Sequence, residues 1–469
     1  MISPTALAPS LAEYLPRQRW FGAKDRTIEL VRVRSIEVLA GDGSWPALLR
    51  VDAEVSLAGA DDARYQVLLG LRPTGVACEF LAGHEPAVLG EFDTAQGQAL
   101  VYDALLDAEL SLALLRVIAP ERSAERVRPL GAEQSNTSLV YDDAMILKVF
   151  RRLTEGHNPE VEVIETLAKV GFTSVPEPLA SWRKDGIDLA FLQRFLAGAS
   201  DGWNIALTSL RELFAEYTIG AAPPPGDALG AGAATPFEAT DPADARGDFA
   251  AEAERIGEVT AEMHQALARG FGTHKVSGDD YAKAMEEQVE QVLGPGDAAM
   301  VDGARRIISR LREISEPGPA IRVHGDYHLA QVLRTDGGWF VLDFEGEPAR
   351  PLEERTRPSS PLKDVAGMLR SFSYAAAVAL SYQEDDLSSL GKAWESRNRE
   401  CFMAGYLRKA AEAEPILPTD PAVRSAVLAA FELDKALYEM AYERANRPDW
   451  ARIPLGAVQR LTSEAARAI

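Results

Sequence analysis

The chain has 469 residues, 46% of them hydrophobic and 26% charged, which is enough to bury two or three domain cores, and no run approaches the roughly 18 consecutive apolar residues of a membrane span. A formal net charge of −22 opposes binding to nucleic acid or an anionic membrane surface, so any phosphate ligand needs a metal ion or a local basic cluster. Only Cys78 and Cys401 occur, without CxxC spacing, which excludes a disulfide framework and a cysteine zinc site; the N-terminus lacks the basic-then-apolar order of a secretion signal, so a cytoplasmic location is expected.

In chain order, residues 28 to 72 hold three strand-like runs, IELVRVRSIEVLA, PALLRVDAEVSLA and RYQVLLGLR, separated by turn formers, and read as an antiparallel unit. An apolar helical stretch is expected around 101 to 117. Then comes SLVYDDAMILKVFRRL, where two short strands flank Asp142-Asp143. A helix should begin at Asn158-Pro159, since Asn caps and Pro suits the first turn. The strand IDLAFLQRFL, 187 to 196, leads into a mainly helical region. Residues 219 to 248, rich in Ala, Gly, Pro and Asp, read as a mobile insertion. Helices are expected at about 249 to 269, 279 to 293, 298 to 315, 363 to 382, 391 to 413 and 421 to 445. The polar stretches VHGDYHLAQ and FVLDFEG sit among them as loop and short strands.

Those two stretches carry chemistry. Phosphoryl transfer from a nucleotide needs an oriented nucleophile with a base beside it, divalent cations on the phosphates and a further cation nearer the nucleoside. Asp326 is the candidate base, because a tight loop at Gly325 would expose it; Gln331 and Asp343 are candidate oxygen ligands for Mg2+, brought together by a hairpin through Gly337-Gly338. Lys148 in MILKVF is the candidate phosphate lysine, with Glu162 placed to hold it and Glu160 as the competing partner. Arg151 and Arg152 would add local positive potential.

Other features are less specific. Ser135, Asn136, Thr137 and Ser138 would form a turn over the phosphates, or an ordinary polar hairpin. Gln193 to Leu196, including Phe195, would be the hinge whose backbone meets adenine, or simply a strand end. Asp364 reads as an N-cap that also braces the catalytic loop, and His264 as a core histidine. Glu345, two residues past Asp343, would share its strand face and reach metal or substrate, or form a structural ion pair. A lysine strand, an acidic helix, HGDxHxxQ and DFEG in this order match protein-kinase-like catalytic cores. The fold expected is α+β and bilobal: a β-rich N-terminal cap over 1–90, a nucleotide-binding lobe over 91–200 and a helical C-terminal lobe over 201–469.

Beyond that general match, VHGDYHLAQVL, VLDFEGEP, SPLKDVAGMLRSFSYAA and KALYEMAYERANRPDW resemble actinobacterial maltokinase, and LPRQRWFGAK with the β-rich segment after it resembles the cap of that family. The likeness spans residues 14 to 455. Gln331 stands where aminoglycoside phosphotransferases more usually carry Asn. The resemblance implies ATP- and Mg2+-dependent phosphorylation of maltose at its anomeric hydroxyl, giving maltose 1-phosphate for α-glucan synthesis, with the cap as a possible contact for other α-glucan enzymes. Two departures are the insertion at 219 to 248 and a chain expected to stand alone rather than fused to a trehalose synthase.

A sugar site has its own signal. Lys435, Glu439, Tyr442 and Asn446 recur at intervals of four, three and four, forming one polar helix stripe that runs on to Arg447 and Trp450; the alternative is a solvated face with internal pairs. His324 is counted with this substrate group. Rival readings are a kinase of glucosamine or an aminoglycoside, and a nucleotide-binding regulator without turnover.

Overall fold

The computed structural model describes residues 2–131, 136–221, 248–347 and 350–467. The chain divides into two compact units, Met1–Glu165 with Pro176–Ala197 and Thr166–Val175 with Gly198–Ile469. Among the described residues no helix is long and apolar enough to cross a membrane.

The first unit opens with helix α1 (Pro4–Tyr14), capped by Ser3, whose hydroxyl accepts from Ala6 N–H. Strands β1 (Ile28–Ala40), β2 (Ala47–Leu57), β3 (Ala63–Pro73), β4 (Val88–Thr94) and β5 (Gly97–Asp103) follow and pair antiparallel in the order β1-β2-β3-β5-β4. The boundary expected near residue 90 therefore falls inside β4. Residues 101 to 103, expected to be helical, instead complete β5 against β3, and the helix α2 (Ala108–Ile118) starts only after Asp107 caps it. Val101 and Tyr102 are better buried as rungs beside β3 than on a lone helix.

Both faces of this sheet are covered, so β2 and β3 read as almost continuously apolar rather than alternating. Leu7, Leu11 and Tyr14 of α1 pack on one face against Val51, Ala53 and Val67. On the other, Leu48 and Leu68 meet Leu110 and Leu114 of α2. That core also holds Leu139, Leu147 and Leu192 from a second antiparallel sheet. The second sheet is built from β6 (Val127–Leu130), β7 (Asn136–Tyr141), β8 (Met145–Phe150), β10 (Pro178–Lys184) and β11 (Ile187–Arg194), in the order β10-β11-β8-β7-β6. The turn between β7 and β8 places Asp142 and Asp143 at φ of 50° and 52°, the left-handed region that short polar side chains tolerate. Short β9 (Arg152–Leu153) joins the first sheet through β3. Helix α3 (Pro159–Lys169) begins as expected, Asn158 Oδ1 accepting from Glu160 N–H at 2.9 Å.

Arg151, expected to lend positive potential, is instead a buried tie at 1% exposure. Its guanidinium pairs with Asp103 at 2.7 Å, its Nε donates to Thr137 Oγ1 at 2.9 Å, and it lies over the Trp20 ring at 4.7 Å. Tyr14 donates to the same carboxylate at 2.7 Å. One guanidinium thus ties α1, β5 and β7 together, while Arg152 stays exposed.

The second unit is mainly helical. Its helices are α4 (Gly202–Ala221), α5 (Ala250–Phe271), α6 (Gly278–Val292), α7 (Ala298–Arg312), α8 (Leu352–Thr356), α9 (Leu362–Leu380), α10 (Ser388–Ala410), α11 (Pro421–Asn446) and α12 (Arg452–Arg467). The insertion expected at 219 to 248 lies for the most part outside the described residues; at its edges α4 continues through Ala221 and Asp248 accepts from Ala250 N–H. Between α7 and α8 a hairpin of β13 (Val332–Thr335) and β14 (Gly338–Val341) pairs with short β12 (Ser200–Asp201).

Replacing Arg151 by Met strands the buried Asp103 charge and should cost about 3–5 kcal/mol of stability. Denaturant unfolding of the full chain checks this, and a loss below about 1 kcal/mol would show that the tie is dispensable.

Candidate active site

The loop that carries Asp326 is shaped by Gly325, whose φ of +88° costs a glycine little. A Cβ there would lie 3.4 Å from Gly346 Cα, so the two acidic stretches meet backbone to backbone at this point. The turn leaves two buried N–H groups that need partners. Asp364 supplies both, accepting from His324 N–H at 2.7 Å and Gly325 N–H at 2.9 Å. His264 Nε2 lies 3.1 Å from the same carboxylate, and His264 Nδ1 lies 2.9 Å from the Tyr406 hydroxyl. Burial alone would raise the Asp364 pKa, but the hydrogen bond and charge of His264 outweigh it and the pKa is lowered. Asp364 is therefore a brace and not the N-cap expected, since Pro361 occupies that position; His264 is the core residue foreseen. Gly367 lets α9 come this close, because a Cβ there would sit 2.5 Å from Tyr327 O.

His324 does not belong to the substrate group. It is 1% exposed, its Nε2 lies 2.8 Å from Leu342 O, its Nδ1 accepts from Asp326 N–H at 3.3 Å, and its ring packs against Tyr327 and Phe344. With both ring nitrogens spent on backbone, it ties the Asp326 loop to the far end of the hairpin. That hairpin brings the metal candidates together, Gln331 Nε2 donating to Asp343 Oδ2 at 3.0 Å. Both offer oxygen donors, remain partly exposed and suit a hard cation such as Mg2+. Asp343 lies past β14 with φ of 62°, so the expected strand face shared with Glu345 does not form.

Asp326, 19% exposed, has a partner that its loop does not reveal. Lys435 Nζ lies 2.9 Å from Asp326 Oδ1 and 2.8 Å from Glu347 Oε1, and 4.8 Å above the Tyr438 ring. Glu347 also pairs with Arg350. Burial pushes the Asp326 pKa up, but the Lys435 ammonium, assisted by His328, more than reverses this and holds it well below the ordinary carboxylate range. The base candidate is thus ionised, with Oδ1 occupied and Oδ2 lying 4.0 Å from His328 Nε2.

Along α11 the stripe divides. Glu439 takes the Arg370 guanidinium at 2.7 and 3.0 Å, and burial raises its carboxyl pKa despite that cation. Tyr442, 44% exposed, stacks on Tyr438 with 6.5 Å between centroids and 19° between planes. Asn446 spends its amide on Tyr442 O, Arg447 pairs with Glu443, and the Arg447 guanidinium lies 4.7 Å over the Trp450 ring. Glu347, Tyr438 and Arg370 were missed in the sequence. The second glutamate of DFEGEP and the i, i+3, i+7 spacing of Lys435, Tyr438 and Tyr442 were the available signals for the first two; Arg370 had none.

In the first unit, Lys148 is 12% exposed and donates to Glu160 Oε2 at 2.5 Å. Glu160, the competing partner of Glu162, thus pairs with the lysine, and as the second residue of α3 it is buried. Ser138 is opposite Lys148 across β7 and β8, Asn136 opposite Phe150, and Thr137 is held by Arg151; Ser135 lies outside the described residues. The expected hinge is largely consumed by the protein itself. Gln193 is laddered to both Pro178 and Ile146, and the N–H groups of Arg194 and Phe195 are donated to Glu177 O and Ala144 O.

Comparison with known proteins places this geometry. A family model described as the maltokinase N-terminal cap domain matches residues 14–107, and one described as the phosphotransferase enzyme family matches residues 228–399. A glucosamine kinase of Mycolicibacterium smegmatis is 30% identical over 351 residues, 73% of this chain and 81% of the relative. Another, from Streptacidiphilus jiangxiensis, is 27% identical over 343 residues, 70% of this chain and 71% of the relative. A solved glucosamine kinase in complex with glucosamine, ADP and inorganic phosphate shares the fold, with a TM-score of 0.65 at 21% identity over 98% of this chain and 100% of that one. This chain, α+β with a β-rich cap before its helical region, belongs to the phosphotransferase enzyme family and carries a maltokinase-type N-terminal cap.

Proposed function

We propose that the protein transfers the γ-phosphoryl group of ATP to the anomeric hydroxyl of maltose, producing maltose 1-phosphate and ADP for α-glucan synthesis. The observation that carries this reading is Lys435, an ammonium fixed between Asp326 and Glu347 on a helix stripe that continues into Tyr438 and Tyr442. A protonated amino sugar needs carboxylates with charge to spare. Here Asp326, Glu347 and Glu439 each already face a cation, while the tyrosine faces suit the C–H surface of a neutral disaccharide. The family resemblance and the cap match point the same way. A second reading, phosphorylation of glucosamine, is favoured by the relatives named glucosamine kinase.

In this proposal Asp326 Oδ2 takes the proton of the attacking hydroxyl, the sugar oxygen bonds to the γ-phosphorus, and the bond to the bridging β-γ oxygen breaks as ADP leaves. Gln331 and Asp343 would hold Mg2+, which when bound neutralises phosphate charge. Lys148, oriented by Glu160, would neutralise charge nearer the nucleoside.

An ADP-release assay with maltose, glucose, trehalose and glucosamine tests the substrate. Maltose should give the highest kcat/KM; glucosamine in first place would establish the second reading instead. In the same assay Asp326→Ala should lower kcat by roughly 10²–10⁴-fold with ATP affinity nearly unchanged, and wild-type turnover by that variant would remove Asp326 from its role.

The ion pair also fixes a pH dependence. A base whose pKa is depressed works above that pKa and fails as pH falls through it, so the acid limb of kcat/KM should lie below the normal carboxylate range. Replacing Lys435 by Met removes the lowering charge and leaves the burial, so the limb should move to higher pH. An unmoved limb in the pH–rate profile would show that Asp326 is not the titrating base.

A further inference from the structure

A cavity of about 440 Å³ lies among α9, α10 and α12. Its walls carry the guanidinium groups of Arg370, Arg452 and Arg460 and the carboxylate of Glu395; Arg370 is balanced by Glu439, so the positive charge facing Glu395 comes from Arg452 and Arg460. That carboxylate is already engaged: the Ser373 hydroxyl donates to it at 2.5 Å, and Arg460 and Arg399 lie 3.6 and 4.0 Å away. Arg452 forms no ion pair among the described residues. In a chain of net charge −22, the excess of Arg452 and Arg460 over Glu395 runs against the average charge.

We infer that this cavity binds a phosphate monoester of a sugar, and that its occupancy is transmitted to the α11 stripe through Arg370. A monoester carries nearly two negative charges near neutral pH, and guanidinium forks match its oxygens bidentately. The volume is in the range of small-molecule sites and leaves room for a sugar ring beside the phosphoryl group. Arg370 lines the cavity and also holds Glu439, so an anion drawn to Arg370 loosens Glu439 and weakens sugar binding, and by linkage sugar binding weakens the anion. This transmission rests on the proposed sugar site; the cavity's affinity for the ester does not.

Calorimetric titration of the full chain with glucose 1-phosphate, and separately with inorganic phosphate at matched ionic strength, reads the site directly. Saturable binding is expected, weakened at least about tenfold in the R452Q/R460Q variant. Sugar KM should rise about fivefold at saturating ester in the wild type and stay constant in the variant. Inorganic phosphate binding as tightly as the ester would overturn the sugar part of the assignment, and absence of saturable heat, or equal affinity in the variant, would overturn the site. A KM unmoved by bound ester would overturn the transmission. If instead the chain phosphorylates none of the sugars, the calorimetry still reads the cavity, so the two failures are distinguishable.

Discussion

The chemistry of the second unit depends on one buried carboxylate. Asp364 satisfies the two N–H groups that the Gly325 turn exposes, while His264 adds a hydrogen bond to the same buried carboxylate. Without such a partner, that turn would bury unpaired donors and relax. His324 extends the constraint by bridging the loop to Leu342, so the base candidate and the Gln331–Asp343 pair are held by one connected set of hydrogen bonds. Buried groups of this kind work as preorganisation, holding the geometry of the polar groups that face the substrates.

A second layer sets charge. Lys435, Glu347, Arg350 and Asp326 form a chain of alternating signs in which each buried ion faces an opposite one. The protein as a whole is strongly acidic, yet its candidate site is close to balanced. That balance sets the candidate site apart from the acidic average of the chain.

Much of this was legible in the chain. Hairpin patterning between Gln331 and Asp343, the capping pair Asn158-Pro159 and the existence of the helices expected between 249 and 445 follow from local rules, and the structure keeps them, whereas α12 (Arg452–Arg467) was not foreseen. What local rules missed are interactions across long sequence separations. The Lys435–Asp326 pair spans the unit, and Arg151 looks like a surface cation until Asp103 and Tyr14 are folded around it. His324 was misjudged because a histidine near a candidate base attracts a chemical role, whereas its burial against Tyr327 and Phe344 gives it a mechanical one. Residues 101 to 103 went wrong because apolar runs do not distinguish a buried strand from a helix.

The most direct test of the account is the turnover of Asp364→Asn, measured alongside its folded fraction. An amide keeps the size but presents an NH2 group where two backbone donors and His264 expect an acceptor. The account predicts that kcat falls by about 10²-fold while the protein stays folded and ATP binding is retained, because the loop carrying Asp326 drifts from its position. A folded variant with wild-type kcat would contradict it, since the brace would then have no bearing on catalysis.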